Sequence, residues 1–174
     1  MTTRADDGER AAGADRAAEG DPHLLRLQRE QWLDRPCNEV FAFFADAGNL
    51  EAITPPWLRF RILTPRPIEM RAGTLIDYAL RIRGCPVRWR TRIELWEPPL
   101  RFIDCQLRGP YRVWRHLHEF FAEGDRTRMV DTVDYALPWG LAGTWAHRLW
   151  VRSDLERIFD YRRERIEQLF RRGR

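Results

Sequence analysis

WRTRIELWEPPLRFIDCQLRGPYRVWRHLHEF, residues 89–120, is the stretch whose reading decides the fold. Glu97-Pro98-Pro99 and Gly109-Pro110 cut it into three runs in which side-chain character alternates with period two, the signature of strands with two different faces. Connections this short join neighbours antiparallel. Alternate residues place Trp89, Thr91 and Ile93, then Phe102, Asp104 and Gln106, then Trp114, His116, His118 and Phe120 on one face. Arg88, Arg90, Arg92 and Glu94, then Arg101, Ile103, Cys105 and Leu107, then Val113, Arg115, Leu117 and Glu119 fall on the other. Five arginines on neighbouring strands are very costly to bury, so the arginine face is expected to look outward. That choice leaves Ile103, Val113 and Leu117 partly exposed, and a slip of one residue would reverse every assignment.

Working outward, the same period continues. Thr127 to Leu137 forms another strand, with Thr127, Met129, Asp131, Val133 and Tyr135 facing inward. Leu58–Leu63 and Gly73–Ile82 precede the quoted run, and His23–Leu33 reads as a first strand in which Leu25 and Leu27 alternate with polar groups. Between the first strand and the rest, Pro36 suits the first turn of a helix with Val40, Phe41, Phe43 and Phe44 on its apolar side. Leu50–Ile53 adds a second short helix that Pro55 and Pro56 terminate. From about Trp145 to Arg171 the period becomes helical, with Val151, Leu155, Ile158, Phe159, Arg162, Ile166, Leu169 and Phe170 on one side. The prediction is an α+β domain in which a curved seven-stranded antiparallel sheet grips a C-terminal helix roughly 40 Å long.

Composition bounds the rest. The chain has 174 residues, 44% of them hydrophobic and 12% aromatic, enough for one substantial core. Residues 1–21 offer only alanines and Met1 as apolar groups and are expected to be a disordered tail, leaving residues 22–174 as a single domain. The net charge of +4 places about +7 outside that acidic tail, with arginines interleaved among acids in place of a solid basic block. No nucleic-acid partner is therefore expected, although an Arg-rich face that binds RNA or an anionic membrane stays open as a third reading. Every basic residue is Arg and none is Lys, which excludes Schiff-base chemistry and a neutral amine base. Cys37, Cys85 and Cys105 are widely spaced, as suits free thiols in a reducing compartment. With neither an apolar leader nor a run of eighteen apolar residues, the expectation is a cytoplasmic protein without integral membrane contact, a monomer or weak homodimer.

If the register holds, the helix-facing surface mixes large aromatics with Thr91, Asp104, Gln106, His116, His118, Asp131 and Tyr135. A dry core would not tolerate so many polar groups, whereas a partly apolar cavity would. The candidate ligand-contacting residues are Trp89, Thr91, Phe102, Asp104, Gln106, Trp114, His116, His118, Phe120, Met129, Asp131 and Tyr135 from the sheet, with Leu155 and Phe159 from the helix. His116 and His118, two apart on a strand, point to one face, and Asp104 or Asp131 on a neighbouring strand could complete an acid/base pair or a metal site. Nothing else in the spacing is metal-specific, so neither metal nor cofactor is expected. Arg162 lies on the helix's apolar stripe, and its head is expected in solvent, with a role as counter-ion to a carboxylated ligand as the alternative.

At these residues, together with NLEAITPPW (49–57) and MVDTVDYALPWG (129–140), the sequence resembles the START/Bet v 1-like helix-grip superfamily. This superfamily is also called SRPBCC or polyketide cyclase/dehydrase-like, and the pattern is that of one bacterial ligand-binding branch. The resemblance spans residues 23–171. It implies a ligand cavity between sheet and C-terminal helix, with its mouth near the short helices and the Trp139–Gly143 loop. Because the superfamily includes lipid and sterol carriers, hormone receptors and aromatic-polyketide cyclases, two functions follow as expectations. The first is binding of a small hydrophobic or amphipathic ligand such as a lipid, quinone, isoprenoid or polyketide. The second is a cyclase or dehydratase working through His118 with Asp131 or Asp104.

Overall fold

The computed structural model describes residues 23–138 and 150–171. The expected tail, the Trp139–Gly143 loop and the start of the expected C-terminal helix lie outside those residues. Strand β1 (Leu25–Leu33) leads into helix α1 (Cys37–Ala45) and two single 3-10 turns, Ala47–Leu50 and Pro56–Leu58. Then come β2 (Arg61–Ile62), β3 (Leu75–Ile82), β4 (Cys85–Glu97), β5 (Arg101–Arg108), β6 (Val113–Glu123), β7 (Arg126–Ala136) and helix α2 (Arg152–Phe170). The seven strands form one antiparallel sheet in the order β1-β7-β6-β5-β4-β3-β2.

Two elements differ from the sequence reading. The strand expected over Leu58–Leu63 is only two residues long, because Pro55 and Pro56 fold Leu58 into a 3-10 turn first. The second short helix is a 3-10 turn displaced toward Ala47, closed where Asp46 accepts a hydrogen bond from the Gly48 N–H at 2.8 Å.

The register on the inner face is the expected one, with a local exception. Trp89, Thr91, Ile93, Phe102, His116, His118, Phe120, Met129, Asp131, Val133 and Tyr135 are all buried. Near the end of β4, however, Ile93 stands opposite Asp104 while Leu95 stands opposite Ile103, so Glu94 is an extra residue. This bulge inverts the alternation and turns Trp96 inward, with its ring 5.2 Å from Phe41 and 5.4 Å from Phe102. A second irregularity, at Leu107, leaves Thr91 opposite Gln106.

The outer face is less exposed than expected, since Ile103, Cys105 and Val113 are buried. Cys105 lies between Arg92 and Arg115 in the pairing, and its thiol donates to Glu94 at 2.8 Å. Long charged side chains laid across a sheet cover apolar neighbours with their stems while their heads stay wet. Several of those heads are paired, as in Arg90 with Asp77 at 2.8 Å and Arg115 with Glu94 at 3.3 Å.

Inside the grip the core is divided into three clusters. Leu33, Val40, Phe41, Phe44, Phe102, Phe120, Met129 and Ile166 pack α1 and the end of α2 against the sheet. Val133, Tyr135, Leu155 and Phe159 pack the start of α2, and Ala47 of the first 3-10 turn packs with Ile76 and Ile93 of β3 and β4. On α2, Leu155, Phe159 and Ile166 are buried as the stripe predicted, but Leu169 is exposed.

Candidate functional site

The three clusters converge on a cavity of about 240 Å3 roofed by α2. Its walls take Phe44 and Phe102 from the first cluster, Leu155 and Phe159 from the second, and Ile76 and Ile93 from the third.

Nine of the fourteen candidate residues line the cavity: Trp89, Thr91, Phe102, Asp104, Trp114, His116, His118, Leu155 and Phe159. The other five do not. Gln106 turns aside to clamp the β5–β6 turn, donating to the Tyr111 carbonyl at 2.6 Å and accepting from the Tyr111 N–H at 3.3 Å. A Cβ on Gly109 would fall 2.2 Å from the Gln106 Oε1, so that clamp needs glycine beside it. Phe120 and Met129 are packed into the α1 cluster and Tyr135 into the cluster under α2. Asp131 lies behind the histidines and away from the open space.

Pairing explains how the polar groups meet. Asp104 on β5 is directly opposite His116 on β6, and His118 is directly opposite Asp131 on β7. Directly opposed residues share a face, and the two pairs are offset by one side-chain repeat, so all four side chains collect at one spot. The imidazole rings lie 3.8 Å apart between the two acids. On the cavity side, Asp104 Oδ2 is 3.2 Å from His118 Nε2 and 3.6 Å from His116 Nδ1. On the other side, Asp131 Oδ1 is 2.6 Å from His118 Nδ1 and 3.3 Å from His116 Nε2, although neither contact has the alignment of a hydrogen bond. His118 also stacks on Phe102 with ring centroids 4.2 Å apart.

Burial would raise the Asp131 carboxyl, but the charge of His118, the nitrogens of both histidines and Arg162 outweigh it and hold that group well below the usual range. Asp104 is lowered in the same way, with burial opposed by the His118 hydrogen bond and the charges of His116, His118 and Arg162. His118 is pushed down by burial yet ends raised, because Asp131 and Asp104 flank it. His116 is lowered, first by burial and then by the neighbouring His118 charge. The shifts thus favour the charged form of both carboxyls and a proton on His118 over one on His116.

Other lining residues were not singled out in the sequence. Tyr78 on β3 contacts the Thr91 hydroxyl, which also accepts from the Trp89 indole N–H at 3.0 Å. Burial, reinforced by Asp104, pushes the Tyr78 phenol up, so it stays a neutral donor. Alternation along β3 was the signal available for it. Arg162 departs from the expectation of a head in solvent: its guanidinium lies 5.7 Å from the Phe44 ring centroid and its Nε is buried without a hydrogen-bond partner. It lines the cavity. At the opposite end, Arg83 in the β3–β4 turn grips Asp154 in the first turn of α2 at 2.7 and 3.0 Å.

The model of one family, described as polyketide cyclase/dehydrase and lipid transport, matches residues 33–171. The chain belongs to this family. Its place in the wider SRPBCC superfamily and its helix-grip fold agree with solved structures. The Zhui aromatase/cyclase from Streptomyces sp. R1128 is 19% identical over 84% of this chain and 93% of its own, with a TM-score of 0.67. TTHA0849 from Thermus thermophilus is 21% identical over 83% of this chain and 99% of its own, with a TM-score of 0.59. Ara h 8.0201 is 12% identical over 84% of this chain and 97% of its own, with a TM-score of 0.60. No curated protein sequence matches the chain. At these identities the likeness is one of fold. Among the described residues no helix is long and apolar enough to cross a membrane.

Proposed function

We propose that this family member binds a small hydrophobic or amphipathic molecule, of lipid, quinone, isoprenoid or polyketide-like chemistry, between the sheet and α2. The observation that carries the reading is a largely apolar cavity into which a buried polar cluster, Asp104, His116 and His118, projects, with Tyr78 and Thr91 also on the wall. Apolar walls supply affinity and the few convergent polar groups fix orientation, the usual make-up of a small-molecule site. Acids and cations already face one another there, so a neutral oxygen is the partner that adds no further buried charge. Native mass spectrometry of the purified chain, followed by extraction of what leaves it, tests the proposal. A non-covalent adduct of an apolar molecule is the expected result. An adduct-free protein whose melting temperature no apolar ligand raises would remove it.

A second reading is favoured by the position of His118 between the Asp104 and Asp131 carboxyls next to an apolar chamber. In dehydration of a β-hydroxy ketone, His118 would give its proton to the departing hydroxyl as water leaves, and Asp104 would take the proton from the α-carbon. Growth of the conjugated product's absorbance follows such a reaction. Its rate should collapse in His118→Phe, and an undiminished rate in that variant would exclude His118 from the chemistry.

A further inference from the structure

We propose that Asp104, His116 and His118 form a site for one divalent transition-metal ion, with zinc as the best-suited metal and its open coordination position facing the cavity. One donor atom from each residue lies within 4.8 Å of the others. The contacts of Asp104 Oδ2 with His118 Nε2 and His116 Nδ1, at 3.2 and 3.6 Å, bracket the donor separation of about 3.4 Å that a tetrahedral ion with bonds of about 2.1 Å requires. Two imidazoles and a carboxylate are a donor set that zinc, cobalt and nickel accept.

The far sides of the rings carry the second observation. A metal-ligating imidazole normally donates its other N–H to a carboxylate that fixes its tautomer. Here one oxygen, Asp131 Oδ1, is 2.6 Å from His118 Nδ1 and 3.3 Å from His116 Nε2, and all three atoms are buried without an aligned hydrogen bond. With an ion on the cavity side both rings become neutral, and Asp131 Oδ1 is the carboxylate oxygen close to both far nitrogens, able to accept from their N–H groups after a small rotation of the side chains. The donors sit on central strands, and His116 and His118 are 4% and 2% exposed.

Charge defines what would complete the site. Around the donors stand Asp131 from β7 behind the rings, and the Tyr78 phenol from β3 and Arg162 from α2 on the cavity wall. A divalent ion and Arg162 against two carboxylates leave one positive charge, so the fourth position favours an anionic oxygen such as hydroxide, carboxylate or enolate. This inference does not depend on the apolar ligand, since the donors are present whatever fills the chamber.

The test uses the full chain, stripped with chelator, dialysed and titrated with Co2+, with Zn2+ as competitor, in a Cys85→Ser background that removes the one exposed thiol. Expected are the visible bands of four-coordinate Co2+, saturation at one ion per chain and displacement by Zn2+. His116→Gln and Asp104→Asn should each abolish the bands, whereas Asp131→Asn should keep them and weaken binding about 10- to 100-fold. If a variant fails to fold, the background protein alone decides. Folded protein that gives no saturable spectrum overturns the proposal, and so does an undiminished spectrum in His116→Gln.

Discussion

His118 Nδ1 lies 2.6 Å from Oδ1 of Asp131, its direct cross-strand partner, and both side chains are sealed from solvent. A buried charge of this kind is stable only in company, and here the company comes from β5, β6, β7 and α2.

Removing the partner should therefore be expensive. Asp131→Ala is expected to cost about 3–5 kcal/mol, because it leaves the His118 and Arg162 charges under-compensated in the interior. Urea unfolding of the two proteins measures this, and a loss under about 1 kcal/mol would mean the cluster relaxes or lets water in.

Acid should undo the same cluster. The folded pKa values of Asp131 and Asp104 lie below the usual 3.8, so their contribution is complete above that value and is lost as pH falls through the folded values. His116 and His118 shift in opposite directions from 6.5 and so oppose each other near neutrality. In chelator-treated protein, urea midpoints should drop steeply below about pH 4, and Asp131→Asn should flatten that limb. Parallel acid limbs in the two proteins would show that the carboxylate is not responsible.

The thiols should separate by environment. Burial pushes Cys37 up, and burial together with the hydrogen bond and charge of Glu94 pushes Cys105 far up, while Cys85 is exposed. One thiol per native chain is expected to react rapidly with a disulfide reagent near neutral pH and all three after denaturation. Three equal native rates would contradict the packing of β4 and β5.

Arg83→Ala tests the brace between the β3–β4 turn and α2. The Arg83–Asp154 pair is half-exposed, so its loss should change stability by less than about 1 kcal/mol. A cavity ligand is nevertheless expected to dissociate faster, because Asp154 lines the chamber and the pair ties the β3–β4 turn to α2 beside it. Stopped-flow displacement reads the rate, and an unchanged rate would place the exit elsewhere.

The sheet was legible because period two survives along most of every strand, and five outward arginines set the face. That pattern was enough to bring Asp104, His116, His118 and Asp131 together before any coordinates. It could not reveal the Glu94 bulge, which depends on how two strands pair and not on either one alone, and so Trp96 went unassigned to the interior. Gln106 has the right parity for the cavity, but its side chain reaches the Tyr111 backbone first. The inward turn of Arg162 was hidden for a similar reason: a helical stripe gives a direction, while the buried carboxylates that draw the guanidinium in come from other elements.

The most direct test follows side-chain NMR signals while a neutral bicyclic phenol such as 2-naphthol is added. Saturable one-to-one shifts of the Trp89 indole N–H and of the His116 and His118 ring protons are the predicted result. Shifts confined to exposed Trp32 and Trp57, or none that saturate, would contradict a ligand chamber ending at the histidines.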